Sequence, residues 1–221
     1  MIMYMCKVIC VTNRHLAAGP FLQQLEKTVR SGISAAILRE KDLDEAEYEA
    51  LARKAKAICE EAHVPLYLHS YGETAKKLGI GRLHLPLLRF LSMPETEKEQ
   101  FREIGVSVHS AEEAAQAEAA GASYVTAGHV FRTDCKKDLA PRGLSFLEEV
   151  CRAVRIPVYA IGGITPENAG DCLAAGAAGI CLMSSLMQAV EPVKLLEAIA
   201  GSQQIFIDLT GSNRVIQPKV Q

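Results

Sequence analysis

One segment of the chain concentrates residues that could move protons and attract anions. The stretch GHVFRTDCKKDLAPRG, residues 128–143, follows the apolar run ASYVTA and precedes a helix-like segment that begins LSFLEEVCRAV. An imidazole can take up a proton near neutral pH and return it, and the lysines and arginines around it favour an anionic substrate. His129 is therefore a candidate acid/base residue. The alternative is a structural histidine in a solvated loop.

Two loops further along the chain have residue types that suit a phosphate group. In AIGGITPENA, Gly162 and Gly163 directly follow an apolar run, and Thr-Pro then begins a helix. In CLMSSLM, Ser184 and Ser185 begin a helix after the next apolar run. Glycines let the backbone approach a ligand closely, and helix-opening N–H and hydroxyl groups donate hydrogen bonds to phosphate. These four residues are predicted to bind phosphate, against the alternative of a tight turn and a helix cap.

The run LREK places two cations on either side of Glu40. If this run continued a strand, Arg39 and Lys41 would project in the same direction and could clamp a carboxylate or phosphate. A surface patch of ion pairs is the equally weighted alternative. Cys135, beside two lysines, is predicted to have no catalytic role.

No metal site is predicted from the sequence. His69, His84 and His109 each fall within a strand-like pattern, where a hydrogen-bonded core histidine is commoner than a zinc or iron ligand. Few carboxylates accompany them at the predicted strand ends, whereas magnesium prefers oxygen ligands.

Strand-like and helical patterns alternate along the chain, which predicts βαβ units and a parallel sheet. Eight such units in this length favour a single (β/α)8 TIM barrel, with a doubly wound open sheet as the alternative. In a barrel, the residues above would meet at the carboxyl ends of the strands, where active sites of this fold lie. The predicted strands are 7–12, 34–38, 65–68, 82–85, 105–109, 123–127, 157–161 and 179–183.

Composition limits the classes of function. The 221 residues carry a formal net charge of -2, so no basic field would attract nucleic acid or an anionic membrane. Seven cysteines without a CxxC pair indicate reduced thiols in a cytoplasmic protein. No apolar run reaches the ~20 residues that span a bilayer. We expect a barrel over residues 1–202 and an extension of unknown role at 203–221, and leave a homo-oligomer open.

Several motifs, taken in order, resemble one enzyme family. They are LREK (38–41), SVHSAEEAAQAEAAGASYV (107–125), HVFRTDCKKDLAPRGL (129–144), IPVYAIGGITPENA (156–169) and GICLMSS (179–185). Together they resemble thiamine phosphate synthase and its relative, the thiazole tautomerase TenI. The resemblance implies a (β/α)8 barrel that acts on a thiazole phosphate, with Gly163 and Ser184 at the phosphate.

The resemblance is closer to the tautomerase branch, because synthase motifs with metal-binding carboxylates are altered. The synthase pattern has Asn-Asp after the third strand, where this chain has His69-Ser70, and an Asp after the fourth strand, near Arg89 here. The string GHVFxTxCKK is instead similar to the tautomerase. Membership in that branch implies His129 as the proton carrier, no cofactor, and aromatisation of a thiazole carboxylate phosphate tautomer.

Two alternatives remain at this stage. A divergent synthase, which would need Mg²⁺, is supported by the retained Arg39, Lys41, Ser107, Thr133 and Lys136, which the resemblance makes substrate-binding residues. A non-catalytic protein that binds a thiazole or thiamine phosphate is the other, although a pure binder would not need His129.

Overall fold

Eight parallel strands close into a barrel in chain order in the computed structural model, which describes residues 6–133 and 139–202. The strands are β1 (Lys7–Val11), β2 (Ala35–Leu38), β3 (Leu66–His69), β4 (Arg82–Pro86), β5 (Glu103–Val108), β6 (Tyr124–Gly128), β7 (Val158–Ile161) and β8 (Gly179–Leu182). The predicted (β/α)8 barrel is therefore confirmed, and the open sheet is excluded.

Helices cover the outside of the barrel between successive strands. They are α1 (Phe21–Val29), α2 (Glu45–Glu61), α3 (Gly72–Lys77), α4 (Leu87–Leu91), α5 (Glu95–Lys98), α6 (Ala111–Ala119), α7 (Gly143–Ala153), α8 (Pro166–Ala174), α9 (Ser184–Gln188) and α10 (Pro192–Ser202). A short 3-10 helix, Arg14–Leu16, follows β1. Five-residue α4 was not predicted, because one turn is too short to show a helical period.

The barrel closes where β8 pairs with β1, with Lys7 opposite Gly179. A Cβ at Gly179 would lie 2.2 Å from the Lys7 carbonyl oxygen, so no larger residue fits this seam without displacing the backbone. Parallel strands buried on both faces read as continuous apolar runs. This pattern is why all eight strands lie close to their predicted positions.

Two apolar layers stabilise the fold. The larger lies between the strands and the helices and is rich in Leu, Val, Ala and Ile. The smaller fills the barrel interior, where Tyr124 makes edge-to-face contacts with Tyr67 and Tyr159 at ring-centroid distances of 5.6 Å and 5.5 Å. The interior layer consists of Ile9, Val11, Ala35, Ile37, Tyr67, Tyr124, Tyr159 and Cys181.

Local signals in the sequence set several helix ends. Thr165 is the N-cap of α8 and Pro166 its first residue, as predicted. Gly121 and Gly176 follow the ends of α6 and α8 and have φ values of 89° and 100°, in the left-handed region that favours glycine. Asp44 and Glu47 form a capping box at the start of α2.

Some predictions lie outside the described residues. The extension 203–221, Cys135 and Lys136 are among them, so the domain limits and the role of Lys136 stay predictions. Within the ranges described, no helix has both the length and the hydrophobicity required to cross a membrane.

Candidate active site

The predicted site residues that the structure describes lie at the carboxyl ends of the strands. Ser107 lies within β5, His129 follows β6, and Gly162 and Gly163 follow β7. Ser184 and Ser185 open α9 after β8. Thr133, in the loop after β6, is half-buried. The barrel thus brings together residues that are far apart in the sequence, at the end where enzymes of this fold have their active sites.

The end of β2 is held in place by a buried carboxylate. Glu40 is 2 % exposed and accepts a hydrogen bond from the Thr12 hydroxyl at 2.6 Å. It also accepts from the Arg14 backbone N–H at 3.0 Å and 3.1 Å, and the Arg14 guanidinium lies 3.4 Å away. The Arg14 guanidinium then forms a bidentate pair with exposed Asp42. These contacts fix the loop that carries Arg39 and Lys41.

The condition for the strand-based argument about Arg39 and Lys41 is not met, and their role in substrate binding stays a prediction. β2 ends at Leu38, so alternation along a strand does not set the directions of these side chains. Glu40 is also not part of a surface patch, because it turns into the protein between them. The Arg39 backbone N–H donates to the Thr12 hydroxyl at 2.9 Å, which ties this loop to the end of β1.

Positive charge gathers around His69 at the end of β3. Burial is the largest cause that lowers the pKa of His69 to about 4. The charges of Arg39, Lys41 and Arg89 act in the same direction. His69 therefore stays neutral at physiological pH, and three cations on the β2–β4 side of the mouth could attract an anionic group.

A hydrogen-bonded chain of side chains crosses the barrel interior below the mouth. His84 Nδ1 lies 3.0 Å from the Tyr124 hydroxyl, and His84 Nε2 lies 2.8 Å from Ser107 Oγ. Thr126 Oγ1 lies 3.3 Å from Ser107 Oγ. The predicted core positions of His69 and His84 are confirmed, at 9 % and 3 % exposure. His109 differs, because β5 ends before it and its half-exposed ring lies 3.4 Å from Glu113.

His129 lies immediately after β6 and is 4 % exposed. Its Nε2 lies 3.3 Å from the Leu139 carbonyl oxygen. A carbonyl can only accept, so in the neutral ring Nε2 carries the hydrogen and Nδ1 carries the lone pair. Among the described residues, Nδ1 has no hydrogen-bond partner. Nδ1 is thus a buried nitrogen whose lone pair is not used within the described residues.

The two glycines after β7 pack directly against the His129 loop. Gly162 and Gly163 have φ values of 109° and 65°, in the region that favours glycine. A Cβ at Gly162 would lie 2.5 Å from the His129 Cβ, and one at Gly163 would lie 2.2 Å from the Arg132 carbonyl oxygen. The Phe131 N–H donates to the Gly162 carbonyl at 2.9 Å. The predicted tight turn therefore also sets His129 beside the predicted phosphate loop.

Helix α9, which begins with the two serines, is supported from behind by α1. The buried Gln24 amide donates to the carbonyl oxygens of Leu186 and Ala189 at 2.8 Å and 2.9 Å. Ser184 and Ser185 are themselves half-buried. Since β7 and β8 are paired neighbours, the Gly-Gly turn and these serines lie on adjacent loops.

The described residues do not offer magnesium the oxygen ligands it prefers. The ends of β3 and β4 carry His69, Ser70 and Arg89 instead of carboxylates. The nearby Glu73 and Glu97 form ion pairs with Lys76. In the ranges 6–133 and 139–202, no three His, Cys, Asp or Glu side chains form a group that could hold a metal ion.

The polar residues at the end of β1 were not predicted from the sequence. Thr12 and Arg14 follow that strand directly, and the strand-end rule applied to the other strands would have found them. The roles of Tyr124 and Thr126 had no local signal, because their partners lie 40 and 19 residues away in the sequence.

The fold and this arrangement define a (β/α)8-barrel protein whose polar side chains converge at the carboxyl ends of its strands. Comparisons with known proteins agree with that class. Residues 8–186 match the family model described as thiamine monophosphate synthase. The chain belongs to the thiamine monophosphate synthase family.

Individual relatives cover most of the chain. It is 34% identical over 189 residues to "Thiamine-phosphate synthase 2" of Streptococcus pneumoniae, covering 83% of this chain and 88% of the relative. It is 32% identical over 213 residues to "Thiamine-phosphate synthase" of Clostridium acetobutylicum, covering 94% of this chain and 96% of the relative. The solved structure of thiamine phosphate pyrophosphorylase from Pyrococcus furiosus matches with a TM-score of 0.77 and 30% identity, covering 90% of this chain and 96% of that one.

Proposed function

We propose that this protein is a thiazole tautomerase of thiamine biosynthesis, which aromatises a thiazole carboxylate phosphate by proton transfer through His129. The observation that carries this proposal is the chemistry at the ends of β3 and β4. Where the resemblance gives the synthase carboxylates for magnesium, this chain has Ser70 and the exposed cation Arg89. A transferred diphosphate needs its negative charge offset, whereas proton transfer needs no metal.

His129 would shuttle the proton with one nitrogen. Nδ1 carries the lone pair in the neutral ring, so it would remove the proton from the ring carbon that bears the carboxylate. The electrons of that C–H bond enter the conjugated system, and the exocyclic carbon takes up the proton from the same nitrogen. The reaction is an isomerisation, so no atom is gained or lost. A positioned acid/base group contributes about 10²–10⁴-fold to such a step.

Opposite sides of the mouth would hold the two anionic groups of the substrate. The Gly162–Gly163 turn and the serines of α9 supply backbone and hydroxyl donors for the phosphate. Arg39, Lys41 and Arg89 would bind the carboxylate on the β2–β4 side. Thr133 and Lys136, which follow His129 in the same loop sequence, stay predicted substrate-binding residues.

The second candidate is the thiamine-phosphate synthase reaction, in which a pyrimidine diphosphate joins the thiazole phosphate. The names of the curated relatives favour it over the tautomerase, and so do the retained Arg39, Lys41, Ser107, Thr133 and Lys136. The lack of suitable magnesium ligands among the described residues counts against it, and we derive no step through that metal.

One experiment separates these functions. Aromatisation of the thiazole carboxylate phosphate tautomer is followed by NMR in heavy water without magnesium, for the wild type, His129→Asn and a control, His63→Asn. His63 is exposed, follows α2 at the other end of the barrel, and has a φ of 56°, a conformation that asparagine tolerates. We expect rapid aromatisation that falls about 10²–10⁴-fold in His129→Asn and is unchanged in His63→Asn.

A parallel assay supplies pyrimidine diphosphate, thiazole phosphate and magnesium, and measures released pyrophosphate. Pyrophosphate release without aromatisation would overturn the proposal in favour of the synthase. Binding of the thiazole phosphate without either reaction would indicate the non-catalytic alternative.

A further inference from the structure

The barrel interior contains a buried histidine with a hydrogen-bond partner on each ring nitrogen. His84 lies on β4 and joins Tyr124 of β6 to Ser107 of β5. Tyr124 and His84 are buried, at 5 % and 3 % exposure, while Ser107 is half-buried at the mouth. The chain of contacts therefore runs from the apolar interior to the site.

The chemistry of the phenol sets the direction of this chain. A buried hydroxyl hydrogen needs an acceptor, and leaving it without one costs about 1–3 kcal/mol. In the described structure, His84 Nδ1 is the only hydrogen-bond partner of the Tyr124 hydroxyl. Tyr124 must therefore donate to Nδ1. In the neutral imidazole the hydrogen then lies on Nε2, which donates to Ser107 Oγ at 2.8 Å.

The neutral form of His84 is secured by its surroundings. Burial is the main cause that lowers its pKa to about 3, and the charges of His69 and Arg39 add to the effect. The pKa of Tyr124 is raised well above its usual value, mainly by burial, so the phenol keeps its hydrogen. Both groups thus hold fixed protonation states at physiological pH.

The Ser107 hydroxyl has one hydrogen that neither His84 nor Thr126 accepts. A serine hydroxyl has two lone pairs and one hydrogen. His84 Nε2 donates to one lone pair, and Thr126 donates to the other at 3.3 Å. The Ser107 hydrogen is therefore directed away from both neighbours. Ser107 is half-buried at the carboxyl end of β5, so a substrate bound there could accept that hydrogen.

We propose that Tyr124 and His84 are positioning residues that hold Ser107 as a hydrogen-bond donor to the negative charge that develops on the substrate. This inference rests on the proposed function, in which removal of the ring proton leaves negative charge on the thiazole carboxylate. A preorganised donor aimed at developing charge stabilises the transition state more than the ground state. Ser107 keeps its proton throughout, and His129 alone transfers one.

The direction of the chain is tested by ¹⁵N NMR of the histidine rings, with His84 assigned from a His84→Gln spectrum. We expect His84 to be protonated on Nε2 and not on Nδ1, with no change between pH 6 and pH 8. In Tyr124→Phe the Nδ1 resonance should shift, because it loses its donor. If the wild-type His84 ring were protonated on Nδ1, the donors and acceptors in the hydrogen-bond chain would be exchanged, and the proposal would be overturned.

The role in the reaction is tested by kinetics with a matched control. Tyr159→Phe is the control, because Tyr159 packs against Tyr124 at 5.5 Å and has no hydrogen bond to His84. We expect Ser107→Ala to lower kcat by about 10²-fold, as for loss of one oxyanion donor. Tyr124→Phe should lower kcat about tenfold with little change in KM, the factor expected for one hydrogen bond.

The outcomes are distinguishable from failure of the proposed function. Equal effects of Tyr124→Phe and Tyr159→Phe on kcat would show that Tyr124 contributes only packing, and would overturn its positioning role. A wild type that does not aromatise the thiazole would refute the proposed function, and with it the catalytic role of Ser107. The NMR spectrum would still decide the direction of the hydrogen-bond chain.

Discussion

The buried carboxylate of Glu40 offers a sharp test of what holds the site together. Replacing it with glutamine keeps the shape but removes the charge and one acceptor. If the amide oxygen takes the place of the oxygen that binds Thr12, the amide NH₂ must face the N–H groups of Arg14, 3.0 Å and 3.4 Å away. Two donors then face each other in a buried position.

The magnitude follows from the bonds that are lost. A hydrogen bond to a charged group contributes about 1.5–3 kcal/mol, and an unsatisfied buried donor costs a further ~1 kcal/mol or more. We expect Glu40→Gln to lower the free energy of unfolding by about 3 kcal/mol. For a chain of this length, that corresponds to a Tm lower by about 10 °C.

Asp42 provides a matched control, because it binds the same guanidinium from the solvent. Its side chain is 53% exposed, and the hydrogen bonds from Arg14 and His15 hold its pKa well below the usual range. Exposed ion pairs contribute little to stability because water screens them. Asp42→Asn should therefore change the unfolding midpoint far less than Glu40→Gln.

Urea unfolding followed by circular dichroism measures both variants, with the slope m checked for constancy. Glu40→Gln should also raise KM for the phosphorylated substrate, because the loop that carries Arg39 and Lys41 loses its anchor. Equal stability losses in the two variants would refute the reasoning. Burial would then not determine how much a carboxylate that binds Arg14 contributes to the free energy of unfolding.

Two further predictions concern pH and the Gly-Gly turn. The unfolded chain protonates its histidines below pH ~6.5, whereas His69 and His84 have pKa values of about 4 and about 3 when folded. The unfolded state therefore binds more protons between pH 6.5 and pH 4. As the pH is lowered through this range, the free energy of unfolding should decrease by about 1.4 kcal/mol per pH unit for each histidine. Urea titrations should give about half that combined slope in His84→Gln, and an unchanged slope would contradict burial as the cause. Gly162→Ala forces a Cβ to within 2.5 Å of the His129 Cβ at a φ of 109°. We expect at least tenfold lower activity from it, whereas Gly170→Ala, where a Cβ meets nothing within 4 Å, should fold and act normally; equal activity of the two would contradict the packing argument.

The fold was predictable from the sequence because each strand reads as a short apolar run with its own helix. Burial on both faces leaves no need for alternation, and glycines and helix caps mark the ends. Closure into a barrel was not encoded in any one segment. It depends on β8 meeting β1, a pairing between residues such as Lys7 and Gly179 that local patterns do not describe.

The site was predictable only in part, for a related reason. Strand-end position was enough to select His129 and the Gly-Gly turn as candidates, and the family resemblance added Ser107. Whether a polar side chain points inward, and what it meets there, depends on register between neighbouring strands. In the sequence, Glu40 is one charge among several in a polar run. Its hydrogen-bond donors, Thr12 and Arg14, lie 28 and 26 residues away, so no local pattern indicates that it is buried.

The polar groups at the two ends of the barrel interior are arranged differently. At the amino end, the Tyr67 hydroxyl donates to Glu103, and the Arg82 guanidinium lies 3.3 Å from the same carboxylate. There, donors, acceptors and charges are matched within the protein. Desolvating polar groups is costly unless they are paired, so this end is explained by stability alone.

At the carboxyl end, the matching within the described residues is incomplete. His129 Nδ1 has no partner there, and the proposed hydrogen-bond chain leaves the Ser107 hydrogen without an acceptor in His84 or Thr126. The charges of Arg39, Lys41 and Arg89 also lower the pKa of His69 at this end. Hydrogen-bond donors and acceptors thus remain unused at the carboxyl end of the barrel interior, whereas those named at the amino end are paired. This difference is expected where a ligand completes the pairing. The proposed substrate would supply such a ligand, because a thiazole carboxylate phosphate has anionic groups that accept hydrogen bonds and a carbon-bound proton that can be removed.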